Sequence, residues 1–339
     1  MQPLVLTRDP ALLEDLARLA AGAGVRLDTR GDPVAALTAW SAAPLVLVGD
    51  DLLAEVAAVA PPPRPGVVVV SHAPPAEVFR HALDLRADAV VDLPDGESHL
   101  GSLLGDVEEA PGRGLVVGVL GGAGGAGAST LACALGQVGG WTAPALVVDT
   151  DPVGPGLDRL LGLDEEPGVR WDDLATSTGR LGSRSLREAV PRRDGVGVLT
   201  WSAGPATAPT LSTVRDVLAA AQRGHALVVL DVARQSGAVA VELMARCDLV
   251  LAVTPATVNG VASTLRLVQP MGDTSRIRLA TRRGAVSRRD LEAATGVAVA
   301  FEVPEQRGLA EAVDLGLGPV RHRRTPLGRA VASFLAEAA

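Results

Sequence analysis

Lysine is absent from this chain: all 31 basic residues are arginine. Tyrosine is absent too, and three Phe and four Trp are the only aromatics among 339 residues that are 47% hydrophobic. A large core must therefore be built from Ala, Val and Leu, which suits a layered α/β architecture. The two cysteines, Cys133 and Cys247, are too few and too far apart for a disulfide framework or a zinc site. Each lies in an apolar segment, so buried free thiols in a reducing cytoplasm are expected. No charged n-region followed by an apolar h-region opens the chain, so no signal peptide is expected. Charge is missing altogether from Leu115 to Val148, a run of 34 residues. That length could span a membrane. The run is dense in Gly, however, and interrupted by Ser129, Thr130, Gln137, Trp141 and Pro144, so a strand, a glycine loop, a helix and a second strand are expected instead.

The length allows two domains, each with its own core. Residues 1–110 carry 7 Arg against 17 acids, a net of −10, whereas 111–339 carry 24 against 22, a net of +2. Pro and Gly between Glu109 and Gly114 mark a short linker between an acidic module, 1–110, and a near-neutral one, 111–339.

The first module reads as five strand-helix units. Strands are expected at Leu4–Leu6, Val25–Leu27, Leu45–Val48, Val67–Val70 and Ala89–Val91, and helices at 10–21, 33–40, 51–59, 75–86 and 98–109. Asp9-Pro10 and Asp32-Pro33 each place an N-cap acid before a proline at the first helical position. The arrangement resembles a response-regulator receiver domain. That family needs a phosphate-accepting carboxylate after strand three, an acid pair after strand one, a Ser/Thr after strand four and a Lys after strand five. Asp50 and Ser71 match, but Arg8 intrudes in the acid pair and Leu93 stands near the lysine position. The resemblance therefore implies a pseudo-receiver working through protein contact, with Asp50 or Asp51 serving as an N-cap for a helix starting at Leu52.

The second module opens with an apolar strand, Leu115–Leu120, followed by Gly121-Gly122-Ala123-Gly124-Gly125-Ala126-Gly127-Ala128-Ser129-Thr130. From Gly122 to Ser129 this has Walker A spacing, G-x-x-x-x-G-K-[ST], with alanine at the lysine position. Glycines let backbone N–H groups turn toward a phosphate, and the helix from Ser129 adds its positive end. Two buried strands ending in acids strengthen the signal: Ala145–Val148 before Asp149-Thr150-Asp151-Pro152, and Ala226–Leu230 before Asp231.

These segments resemble the MinD/ParA group of P-loop ATPases, whose deviant loop K-G-G-x-G-K-[ST] falls on Ala123–Ser129 with both lysines absent. Cys247–Thr254 continues the likeness, and Thr281-Arg282 and Val303-Pro304-Glu305 resemble the MinD segments that flank the nucleotide base. Together with the receiver-like module, the chain resembles the CpaE/TadZ group, most closely its septum-site-determining branch. The expected fold is thus α/β, two three-layer domains: a receiver-like (βα)5 followed by a MinD/ParA-like P-loop parallel sheet. The resemblance implies that Gly122, Gly124, Gly125 and Gly127, with Ala126, Ala128 and Thr130, surround the phosphates of ATP. Ser129 and Asp231 would hold Mg²⁺, Asp149 would support the metal shell, Asp151 would orient the attacking water if the enzyme is active, and Arg282 and Pro304 would flank the base. A capped turn after the strand is the other reading of Asp149 and Asp151.

Losing a charged donor to phosphate costs about 1.5–3 kcal/mol, or about ten- to a hundredfold in affinity. Weak binding with poor hydrolysis is expected, because charge developing on the transferred group needs a cation. Arg234 is the nearest motif-linked cation, but the preferred reading of it is a surface arginine. Arg282-Arg283 and Arg288-Arg289 lack aromatic neighbours, so nucleic acid is not an expected partner. The last helix carries an apolar stripe, Leu327, Val331, Phe334, Leu335 and Ala338, with Arg329 and Glu337 cancelling opposite it. It is expected to pack on the domain, leaving membrane contact at most peripheral. The implied role is a cytoplasmic spatial regulator, placed at a pole or septum, with division or pilus/secretion proteins as partners and a homodimer within reach. The alternatives are an active ATPase using a substitute cation and a nucleotide-free scaffold.

Overall fold

A computed structural model of the chain describes residues 2–108, 114–176, 181–202, 204, 209–234 and 238–338. They divide into two compact units, the first of residues 2–108 with Gly182–Ser185 and the second of the remaining described residues from Gly114 on. The expected linker, apart from Gly114, lies outside the described residues.

The first unit runs β1 Leu4–Leu6, α1 Pro10–Gly22, β2 Asp28–Arg30, α2 Pro33–Trp40, β3 Val46–Gly49, α3 Asp50–Val59, β4 Val67–Ser71, α4 Ala76–Asp84, β5 Ala89–Asp92 and α5 Glu97–Glu108. Its five strands form one parallel sheet in the order β2-β1-β3-β4-β5. Side chains alternate across the sheet, as the two-residue strand period requires. Leu4, Leu6, Val46, Val48, Val67 and Val69 pack with Trp40, Leu52 and Val78 on one face. Val5, Leu47, Val68 and Val70 pack with Leu12, Leu16, Leu100 and Leu104 on the other. Asp9 and Asp32 cap α1 and α2 as expected, accepting from the Ala11 and Val34 amides.

One strand is displaced from its expected place. The second lies at Asp28–Arg30, three residues beyond the expected Val25–Leu27, because pairing with β1 (Leu4 opposite Asp28) defines it. Val25 is instead held in the turn after α1, its amide donating to Ala20 O at 2.9 Å. The edge strand is charged, with Arg30 paired to Asp28 at 2.9 Å, a composition that discourages pairing with another chain.

The second unit runs β6 Leu115–Gly121, α6 Ala128–Gly140, β7 Ala145–Asp149, α7 Leu157–Leu161, α8 Trp171–Thr176, α9 Ser183–Ala189, β8 Arg192–Arg193, β9 Val196–Leu199, α10 Leu211–Gly224, β10 Leu227–Val232, α11 Ala238–Arg246, β11 Leu249–Pro255, α12 Val258–Val268, β12 Ile277–Arg282, α13 Arg288–Thr295, β13 Val299–Val303, α14 Leu309–Asp314 and α15 Pro326–Ala338. The sheet order is β13-β12-β11-β6-β10-β7-β9-β8. All pairings are parallel except β8 on β9, which makes the sheet mixed at one edge. The charge-free run resolves into β6, loop, α6 and β7, and no described helix is long and apolar enough to cross a membrane.

Helix α6 lies close against the sheet: a Cβ on Gly136 would come within 2.2 Å of Val147 Cγ2. Helix α15 packs on the same face, burying Leu327, Val331 and Phe334, with the Phe334 ring 5.3 Å from that of Phe301. Both cysteines are buried free thiols. Because the α15 stripe is core, Phe334→Ala should lower stability by about 3 kcal/mol. Urea unfolding of the full chain measures this; a change within error would mean that α15 is not docked in solution.

Candidate functional site

The phosphate-type loop is held by its own backbone. Gly122 N donates to Val253 O at 2.9 Å, and Ala126 N donates to Ala123 O at 3.2 Å. A Cβ on Gly122 would fall 2.2 Å from Thr264 Oγ1, so this glycine answers to packing. Gly125 (φ +68°) and Gly127 (φ +94°) take left-handed backbone that L side chains rarely adopt. Nothing lies within 4 Å of a Cβ placed on Gly124 or Gly125, so that stretch of loop is open. Gly127 is the N-cap of α6 and brings no side-chain cap, leaving the first-turn amides to other partners. Ala126 sits in the core, its amide already bonded to Ala123, so it helps shape the loop from beneath.

Beside the loop lie two buried acids. Strands β7 and β10 are in register, with Asp149 opposite Asp231. Burial pushes the Asp231 carboxyl up to about 6, opposed by the hydrogen bond from the Ser129 hydroxyl and reinforced by Asp149 and Asp151. Asp149 is also raised, chiefly by burial. Both its oxygens are engaged: Asp151 N donates to Oδ1 at 3.0 Å, while Thr200 Oγ1 (2.8 Å) and Leu157 N (3.2 Å) donate to Oδ2. Asp151 in turn accepts from Val153 N at 3.1 Å. The capped-turn geometry is present at both acids, and Asp231 is the carboxylate turned toward Ser129. Among the described residues no three His, Cys, Asp or Glu cluster to hold a metal. Ser129 and Asp231 therefore fit a divalent cation that draws its other ligands from phosphate and water.

On the other side of the loop a cleft of about 330 Å³ is lined by Gly127, Thr130, Arg282, Pro304, Gln306 and Leu327. Arg282 Nη1 lies 3.8 Å from the Cβ position of Gly127. The structure thus brings Gly127, Thr130, Arg282 and Pro304 to one opening. Thr200 and Trp171, whose indole N–H donates to Asp149 O at 2.8 Å, escaped notice because no motif surrounds them.

In the first unit, α3 begins at Asp50 and its N-cap is Gly49, with no side-chain cap. The N-cap expectation for Asp50 and Asp51 is thereby corrected: both lie inside the first turn and bond across the sheet edge. Ser71 Oγ donates to Asp50. Thr7 Oγ1 (2.6 Å) and Arg8 N (2.7 Å) donate to Asp51. The Arg8 guanidinium is forked onto Glu55 at 2.8 and 2.9 Å. Leu93 is buried in the core. Among the described residues no cation pairs with Asp50.

A family model described as "Rv3660c-like, CheY-like N-terminal domain" matches residues 6–114. Protein Rv3660c of Mycobacterium tuberculosis (strain ATCC 25618 / H37Rv) is 36% identical over 269 residues, covering 75% of this chain and 73% of the relative. Protein MT3760 of strain CDC 1551 / Oshkosh matches to the same extent. The chain belongs to the Rv3660c-like family. Among solved structures, this family member is similar to a ParA family ATPase from Chlorobium tepidum TLS (TM-score 0.55, 16% identity, 66% of this chain and 98% of that one). It is also similar to a chain of the MinC:MinD cell division protein complex of Aquifex aeolicus (0.54, 18%, 66% and 94%). A third likeness is to the septum site-determining protein MinD complexed with Mg-ADP from Pyrococcus horikoshii OT3 (0.50, 16%, 66% and 95%). At these identities the likeness is one of fold, and the Rv3660c-like chain joins a CheY-like module to a MinD/ParA-type sheet.

Two outcomes follow for this Rv3660c-like protein. The Asp231 carboxyl rises from an ordinary 3.8 to about 6. Between those values the folded protein keeps a proton that the unfolded chain has released, so stability falls as pH rises through the window and levels off above it. Asp231→Asn should exceed wild type in stability at about pH 7.5, by on the order of 3 kcal/mol, with the gain shrinking toward about pH 4. Urea midpoints at both pH values test this, and a variant no more stable at the higher pH would contradict it. Secondly, acetyl phosphate with Mg²⁺ should leave the mass of the protein unchanged. A gain of one phosphoryl group that disappears in Asp50→Asn would restore a working receiver.

Proposed function

We propose that this protein is a MinD/ParA-type, CpaE-like spatial regulator that binds ATP and Mg²⁺ weakly and hydrolyses ATP poorly. The observation that carries the reading is the phosphate loop. Its left-handed glycines and uncapped helix start leave an open stretch of loop, beside a buried carboxylate that is bonded to Ser129 and, among the described residues, pairs with no cation. Gly124, Gly125 and Gly127 would follow the phosphates with backbone N–H groups. Ser129 and Asp231 would hold Mg²⁺, which when bound neutralises phosphate oxygens. Arg282, Pro304 and Thr130 would enclose the rest of the nucleotide in the adjoining cleft. Asp149 fixes the turn that carries Asp151, the residue that would orient water in any hydrolysis that remains. The MinD relative from Pyrococcus horikoshii holds Mg-ADP, which supports the same ligand class here.

Poor turnover follows from alanine at both 123 and 128, since phosphoryl transfer is carried largely by positioned charge. Residues 1–110 serve as a pseudo-receiver that contacts proteins, and 111–339 as the nucleotide domain. Division proteins, in septum-site determination, or pilus and secretion proteins are the partners this reading names. A cytoplasmic protein concentrated at a pole or septum is the matching location, and any homodimer relies on protein surface more than on nucleotide.

Calorimetry on the full chain should show weak, magnesium-dependent ATP binding that Gly127→Val abolishes, because valine is strained at φ +94°. Phosphate release should stay at background. No heat at millimolar ATP would leave the nucleotide-free scaffold, and turnover lost in Asp151→Ala would establish an active ATPase.

A further inference from the structure

The place left by the missing lysine has another side chain beside it. A Cβ on Gly121 would lie 3.8 Å from the Ala128 Cβ and also 3.8 Å from Arg234 Cδ, with Ala123 O at 3.2 Å. The stem of Arg234 and the position that carries lysine in a Walker A loop thus converge on one point above the loop's entrance. Arg234 arrives from the segment after β10, three residues beyond Asp231.

Its guanidinium is exposed, and Nη2 donates to a neutral partner, Ser263 Oγ on α12, at 3.2 Å. Elsewhere in the unit, Arg215, Arg246 and Arg288 are paired with Glu242 or Glu292. Among the described residues no carboxylate pairs with Arg234. The side chains that act on Asp231 are Ser129, Asp149 and Asp151, so the guanidinium is not engaged with the nearest acid. An arginine held this way carries a permanent charge and a planar fork of donors matched to phosphate oxygens. Its bond to a serine hydroxyl is weaker than a bond to an anion, so it can be exchanged on binding.

We propose that Arg234 is the phosphate-binding cation of this site, reaching the polyphosphate of a nucleotide from the β10 side in place of the lysine absent at position 128. The proposal rests on the nucleotide-binding reading above. It differs from the usual arrangement in that the charge comes from the segment after the acid-bearing strand rather than from the loop. Arg282, at the opposite end of the loop beside Gly127, belongs to the neighbouring cleft.

The test is calorimetric titration of the full chain with Mg-ATP. Arg234→Ala should bind about ten- to a hundredfold more weakly than wild type, while its thermal unfolding stays unchanged. Ala128→Lys should recover affinity in the Arg234→Ala background and add much less in the wild type, because both cations serve one place. A purely structural arginine would not be rescued by a lysine elsewhere. Wild-type binding with undiminished affinity in Arg234→Ala overturns the proposal and leaves the nucleotide reading standing. So does a loss confined to Arg282→Ala, or an equal gain from Ala128→Lys in both backgrounds. No binding by wild type overturns both.

Discussion

The candidate site depends on the register of parallel strands in the second unit. Because β6, β10, β7 and β11 run in the same direction, their C-terminal ends lie at one edge of the sheet. The phosphate loop, Asp231, Asp149 and the turn bearing Asp151 are all extensions of those ends. In open parallel sheets such an edge is where ligands bind, since helices and loops diverge there and leave a crevice. A one-residue slip of β10 would reverse its faces and move Asp231 away from Ser129. Val228 and Leu230 pack on one face and Val229 on the other, so polar alternation does not set this register and close packing on both faces must.

Register also explains why a loop without lysine keeps its form. The backbone bond from Gly122 to Val253, the close approach of Gly122 to Thr264 and the core position of Ala126 hold the loop without a lysine side chain at residue 128. Fold and charge are therefore separable here. The same separation is seen in the first unit, where the sheet edge of a receiver is intact while Asp50 and Asp51 are tied up by Ser71, Thr7 and the Arg8 amide.

The two buried acids differ in what surrounds them. Asp149 has three donors and acts as the pin of a turn. At Asp231 burial first, and the like charges of Asp149 and Asp151 after it, disfavour the ionised form, with the Ser129 hydroxyl bond opposing them. That difference in hydrogen bonding, rather than the acid type, sets the two carboxylates apart.

Apart from β2, the elements of the first unit, with β6, α6, β7, β10 and α15 of the second, were legible in the sequence because their signals are local. Asp-Pro caps open α1 and α2, apolar runs mark β3, β4, β6, β7 and β10, and glycine spacing marks the loop. The edge strand at Asp28–Arg30 was not legible, since pairing to β1 and not hydrophobicity defines it. Short helices α7 to α9 and strand β8 carry too few residues for a periodic signal. By itself the sequence determined the two-module α/β organisation, the loop and the loss of its lysine. Only the tertiary structure decided that Asp50 and Asp51 lie within a helix, that Asp149 has three donors where Asp231 has the Ser129 hydroxyl, and that Arg234 and Ala128 both approach Gly121. Those outcomes join residues tens to more than a hundred positions apart, and such contacts leave no trace in local spacing.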